Sequence, residues 1–227
     1  MNSEFSSEFL RPLESIDAPD PRHSSFARMD HDNGGFRPVE LKDLHADISE
    51  FVLNEAVPQA IKVQFETARN LYLYSWFIYR FFPVSELYAF TCLEFSLRTK
   101  YEGEIPKQYF PRSPEPTLKP LLKYAVDIGH IKNEGFQIWQ DRVRQKARFR
   151  YEIEKTNEMK ERGLKEIELN YADIEIKDID KNWNYINILK ESLPNLRNHY
   201  AHGSPTLHIQ VLGTIQIVSE IINQIYE

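Results

Sequence analysis

An all-α, up-and-down helical bundle is predicted by three observations. Apolar residues recur at spacings of three and four through most of residues 39 to 227. Proline and glycine fall between those periodic segments instead of inside short alternating runs. No segment combines strict two-residue alternation with turn pairs of the hairpin kind.

Residues 1 to 38 carry six serines, four prolines and a Gly-Gly pair with no apolar period, so a flexible or loosely docked arm is expected there, outside the core. Residues 39 to 227 read as one domain. Leu41, Leu44, Ile48, Phe51 and Val52 mark a first helix. A longer helix is expected over residues 57 to 82, through "LYLYSWFIYRFF", as the centre of the core. Pro83 should make a short turn into a partner helix, "VSELYAFTCLEFSLRTKYE", completing a helical hairpin. Val84, Leu87, Tyr88, Thr91 and Phe95 line one of its faces, and Phe90, Leu97 and Tyr101 another.

The four prolines between 106 and 116 make a loop. Thr117 can cap the next helix, Pro120 is tolerated in its first turn, and Gly129 can close it. A helix from near Asn133 carries nine basic and four acidic residues between 142 and 165. A solvated face laced with i, i+4 ion pairs is favoured over a nucleic-acid patch. Residues 166 to 181 are acidic and only weakly alternating, an irregular insertion before the last two helices. Trp183, Ile186, Leu189 and Leu193 mark the first of those. The second is expected over 204 to 226, with Ser204 as cap, Pro205 at its first position, and Leu207, Val211, Ile215, Val218, Ile222 and Ile225 buried.

The chain has 28 Lys and Arg against 34 Asp and Glu, a net −6, so no global positive field recruits nucleic acid or an anionic membrane. One cysteine, Cys92, excludes an internal disulfide and fits a buried thiol in a reducing, cytoplasmic setting. No secretory signal or membrane-length apolar run is read, and a soluble protein is expected. Glycine-rich phosphate loops, CxxC pairs and GxSxG elbows are absent.

Chemistry concentrates at "LPNLRNHYAHGSPTLHIQVLG", residues 193 to 213, which holds three of the chain's seven histidines. Arg197 and His202 are five apart, about 140° around a continuous helix, and meet only if the helix loosens near Gly203. They would then line the cleft between the last two helices, with Asn198 orienting the imidazole. That gives a cation for phosphate, a titratable acid or base, and an aligner. His199, His202 and His208 lack nearby carboxylates, so a metal site is disfavoured. Glu94 and Arg98 are spaced as an intrahelical ion pair, and Glu86 lies two turns earlier. A supporting role for Glu94 is the alternative.

RNHYAH, residues 197 to 202, resembles the RNxxxH motif of the HEPN superfamily of small α-helical domains. The helical hairpin containing "SELYAFTCLEFSLR" and the motif's position between the last two helices are similar too. The resemblance spans residues 40 to 227 apart from the insertion. It implies metal-independent RNA cleavage by a homodimer with the active site at the interface, no cofactor, Arg197 and His202 as catalytic residues and Asn198 in support. It also implies a toxin or antiviral defence effector, controlled by a cognate antitoxin or regulatory protein. His199 and Tyr200 fill variable positions, and Tyr200 either packs or stacks on a base. A non-catalytic helical module binding RNA, a nucleotide or a protein is the alternative reading, and a metal-binding protein using the histidines a third.

Overall fold

The computed structural model describes residues 9–30, 33–202 and 207–227. Seven α-helices are found among them: α1 Leu41–Ser49, α2 Gln59–Tyr74, α3 Phe81–Lys100, α4 Leu118–Asp127, α5 Gln137–Glu161, α6 Tyr185–Ala201 and α7 Leu212–Ile225. The only sheet among the described residues is a two-stranded antiparallel ribbon, β1 Ala27–Met29 against β2 Phe36–Pro38. The fold is all-α. No helix of the described residues is long and apolar enough to cross a membrane.

α3 is the hub, packing against α2, α4, α6 and α7. Its buried side includes Phe90, Cys92, Leu93 and Leu97, which meet a core containing Phe65 of α2, Leu121 of α4, Leu193 of α6 and Ile215 of α7. Of the two faces read from the spacing, that of Phe90, Leu97 and Tyr101 is buried, whereas on the other Val84 and Thr91 are exposed and Tyr88 and Phe95 pack against the core's edge. Fully burying one such large apolar side chain contributes about 1.5–3 kcal/mol. The centre of the bundle is therefore where apolar substitution costs most.

The helix expected over residues 57 to 82 is shorter than that. α2 stops at Tyr74, and the hairpin turn is residues 75 to 80, before the proline and not at it. A helix end leaves carbonyls without partners, and here residues from the N-terminal segment supply donors. His23 Nε2 meets the Ser75 carbonyl at 3.1 Å, the Asp20 amide donates to the Trp76 carbonyl at 2.8 Å, and the Arg11 guanidinium donates to the Phe77 carbonyl. Pro83 is the third residue of α3, where a missing N–H costs little.

The expectation of a flexible arm over residues 1 to 38 is thereby corrected for its described part. Asp20 and His23 are buried, and His23 stacks on Trp76 with ring centroids 4.7 Å apart. Asp20 also holds Arg22 through Oδ1 at 2.8 Å. The ribbon is tied to α1 by a bidentate pair, Arg37 to Asp43 at 2.6 and 2.7 Å, and Arg28 donates to Asp47 at 2.6 Å. The Arg37 hydrogen bonds hold the Asp43 carboxyl down at about 2. A depressed carboxylate pKa stabilises the fold above the unfolded value near 4 and loses that contribution as pH falls toward the folded value. Amides of residues 27 to 29 and 36 to 38 are accordingly expected to lose hydrogen-exchange protection between pH 4 and pH 2, ahead of α3. Asp43→Asn should show the same loss already at neutral pH. Unchanged protection in both cases would mean that the ion pair does not anchor the ribbon.

Gly129, at φ +77°, closes α4 as expected. α5 buries a narrow stripe of Trp139, Val143, Ala147 and Tyr151. Its far half carries the irregular 166 to 181 segment: Arg150 grips Asp180 at 2.9 and 3.0 Å, Lys177 reaches Glu154 at 3.1 Å, and the Asn170 amide donates to the Tyr151 hydroxyl at 3.2 Å. The helix expected from residue 204 begins at Leu212 instead, and Leu207 and His208 are not helical. The proposed Ser204 cap and Pro205 start lie outside the described residues. α6 is capped by Asn184, whose Oδ1 accepts from the Asn187 amide at 3.1 Å, and runs through the buried Pro194 to Ala201.

Candidate functional site

α6 delivers Arg197, Asn198, His199, Tyr200 and, as its terminal cap residue, His202. The helix does not loosen before Ala201, so Arg197 and His202 leave it about 140° apart. No contact joins their side chains among the described residues. The His202 amide donates to the Asn198 carbonyl at 3.1 Å and its imidazole is exposed. Asn198 does not orient that ring: its Oδ1 accepts from Arg197 Nη1 at 3.3 Å.

Arg197 is about one-third exposed and lies with Nη2 at 3.1 Å from Glu94 Oε2 on α3. Glu94 is largely buried, and its other oxygen accepts from Arg98 Nη2 at 2.7 Å, the intrahelical pair read from the spacing. Arg98 continues to Glu115 at 2.7 Å. Opposite charges thus alternate from Arg197 through Glu94 and Arg98 to Glu115. Glu94 lies against the Arg197 guanidinium and offsets part of its charge.

A second polar cluster begins two residues before His202. Glu86, 2% exposed on α3, accepts the Thr214 hydroxyl of α7 at 2.6 Å through Oε1 and faces His208 Nε2 at 3.1 Å through Oε2. His208 also meets the Tyr200 hydroxyl. Burial, reinforced by the Glu86 charge, pushes the Tyr200 phenol up. Tyr200 is thus a packing and hydrogen-bonding residue whose ring joins the core. The ends of the chain on either side of residues 203 to 206 are both tied to one carboxylate.

The three histidines are not brought together. His199 is exposed with its ring edge on Tyr200 at 5.5 Å between centroids, His202 is exposed, and His208 turns to Glu86. Among the described residues no three His, Cys, Asp or Glu side chains group so as to hold a metal ion. What remains is a one-third-exposed, anchored cation and a solvent-facing imidazole on different sides of one helix end. The first can bind a phosphate and the second can move a proton. In the sequence Glu86 stands only as a carboxylate two turns before Glu94, and His208 only as one histidine of a disfavoured metal site. Their pairing joins residues more than a hundred positions apart, which no local spacing encodes.

No family model, curated protein or solved structure matches the chain.

Proposed function

We propose that the protein is a metal-independent endoribonuclease of the HEPN type that works as a homodimer. The observation that carries this reading is the exposed His202 one residue beyond α6, five positions after an Arg197 held in place by Glu94. In the proposed reaction the RNA 2′-hydroxyl loses its proton and its oxygen attacks the adjacent phosphorus. The P–O5′ bond breaks, and the departing 5′-oxygen takes up a proton. The products are a 2′,3′-cyclic phosphate and a 5′-hydroxyl. Imidazole serves as the proton carrier, and Arg197 stabilises the charge on the non-bridging oxygens. DNA lacks the attacking hydroxyl and is refused.

The same geometry supports reading the enzyme as a dimer. A helical turn keeps Arg197 and His202 of one protomer apart, and one imidazole cannot hold both protonation states at once. A two-fold axis beside the end of α6 would supply two copies of each in one cleft.

A different observation favours the second reading, a non-catalytic RNA-binding module: Glu94 already neutralises part of the Arg197 charge. The deciding experiment is incubation of purified dimer with a mixed RNA and DNA pool in excess EDTA, followed by analysis of product ends. Cyclic-phosphate ends on RNA with DNA untouched is the expected result. Binding of RNA without any cleavage would overturn the enzymatic reading and leave the module.

A further inference from the structure

We propose that a shallow groove between α5 and the start of α6 binds a stretch of single-stranded RNA and feeds it along α6 toward His202. The groove is lined by Ile138, Arg142, Lys146 and Phe149 of α5, by Trp183, and by Ile188 of α6. This assignment rests on the ribonuclease reading for the identity of the strand.

Arg144, Arg148, Arg150 and Lys155 of α5, and Arg162 just past its end, each pair with a carboxylate, as a solvated helix face requires. Lys160 has none within ion-pair distance among the described residues and lies in the last turn, outside the groove. Arg142 and Lys146 have no carboxylate within ion-pair distance among the described residues. They are four apart, so they share a face, and that face is the groove. The groove's one acid, Asp141, is engaged by Arg144 at 3.5 Å and by Gln137 at 2.9 Å. In a chain of net charge −6 this leaves a local excess of two cations.

The apolar parts fit bases. Phe149 is 64% exposed and Ile138 and Ile188 are each 50% exposed, which a lone monomer surface does not require. Trp183 holds one face against the Arg142 guanidinium, 4.3 Å from the ring centroid. An exposed aromatic plane, that of Phe149, beside two cations without carboxylate partners, Lys146 donating only to the Asn182 carbonyl at 3.3 Å, is what sequence-tolerant binding of a single strand needs, by stacking and phosphate contact.

The groove is also continuous with the candidate site. At 100° per residue, Ile188, Ser192, Asn195, His199 and His202 fall within about 40° of one line along α6. None of them is buried. From Ile188 to His202 that line is about 21 Å long, within reach of a strand of the length that such grooves hold, ~4–16 nucleotides.

The test uses a fluorescent 2′-O-methyl RNA of about 12 nucleotides, which lacks the attacking hydroxyl, so that binding is read without cleavage. Arg142→Gln/Lys146→Gln is expected to bind it at least about tenfold more weakly than wild type. The slope of log K against log salt should flatten by about 1.4, two phosphate contacts on a single strand. Phe149→Ser, at an exposed position that the fold does not need, should weaken binding about fivefold or more by losing a stacking plane. Equal binding by wild type and both groove variants, or no binding by any protein, overturns the proposal. So does sedimentation in which the groove variants break a dimer without changing RNA affinity, because the occupant would then be a second copy of this chain. Groove-dependent binding by a protein that cuts no RNA supports the groove while removing the ribonuclease reading.

Discussion

His202→Ala protein is expected to cleave RNA about 100- to 10,000-fold more slowly than wild type in EDTA, the usual span for loss of a positioned acid or base. Its stability should be unchanged within about 0.5 kcal/mol, because the ring is exposed and no side-chain hydrogen bond holds it among the described residues. The two readouts together make the result specific. A slow variant with an ordinary urea midpoint assigns the loss to chemistry. A variant that cuts at the wild-type rate would remove His202 from the site and, with it, the reason for reading RNHYAH as catalytic. Arg197→Ala is not an equivalent control, because it also leaves Glu94 with only Arg98 beside it.

Glu86→Ala carries the largest expected effect on stability, a loss of about 2–4 kcal/mol in urea unfolding. The carboxylate is buried and accepts the Thr214 hydroxyl, while His208 and Tyr200 crowd its other oxygen. Truncation strands the Thr214 hydroxyl and part of the Tyr200–His208 pair, and an unsatisfied buried polar group costs about 1–3 kcal/mol. The partial exposure of His208 keeps the figure below that of a fully buried ion pair, roughly 3–5 kcal/mol. Glu86→Gln should lose about half as much, since its amide oxygen can still accept from Thr214. A loss under 1 kcal/mol for Glu86→Ala would show that α7 and the end of α6 are held by apolar packing alone.

Much of this architecture was legible in apolar spacing. The helices α1, α3, α4 and α6, the proline loop at 106 to 116 and the irregular 166 to 181 segment follow from periodicity and from Gly and Pro placement. The hairpin of α2 and α3 was legible too, but not the place of its turn, because "LYLYSWFIYRFF" has no local breaker. α2 ends at Tyr74 because donors from residues 11 to 23 satisfy the free carbonyls of 75 to 77. The same contacts hid the docking of the N-terminal segment, although Asp20 before Pro21 is a cap signature: its Oδ1 accepts from the Arg22 amide at 3.1 Å. At the candidate site, the Glu94–Arg98 pair was readable from its spacing. That Arg197 leans on Glu94 and Asn198 on Arg197 depends on how α6 crosses α3, which is a property of packing. The late start of α7 is of the same kind: "LHIQV" has apolar residues at usable spacing, yet His208 is drawn to Glu86 before a helix can include it.

The position of Cys92 has a practical consequence. It sits fully buried on α3, its thiol facing the Ile61 carbonyl at 3.6 Å, and burial pushes that thiol up to about 12. At neutral pH the thiol therefore stays protonated and unreactive in the folded protein. Because it is the chain's single sulfhydryl, alkylation is a clock for the separation of α2 from α3. Labelling kinetics followed by mass spectrometry would time that opening in unmodified protein, with no probe introduced and no background from a second site.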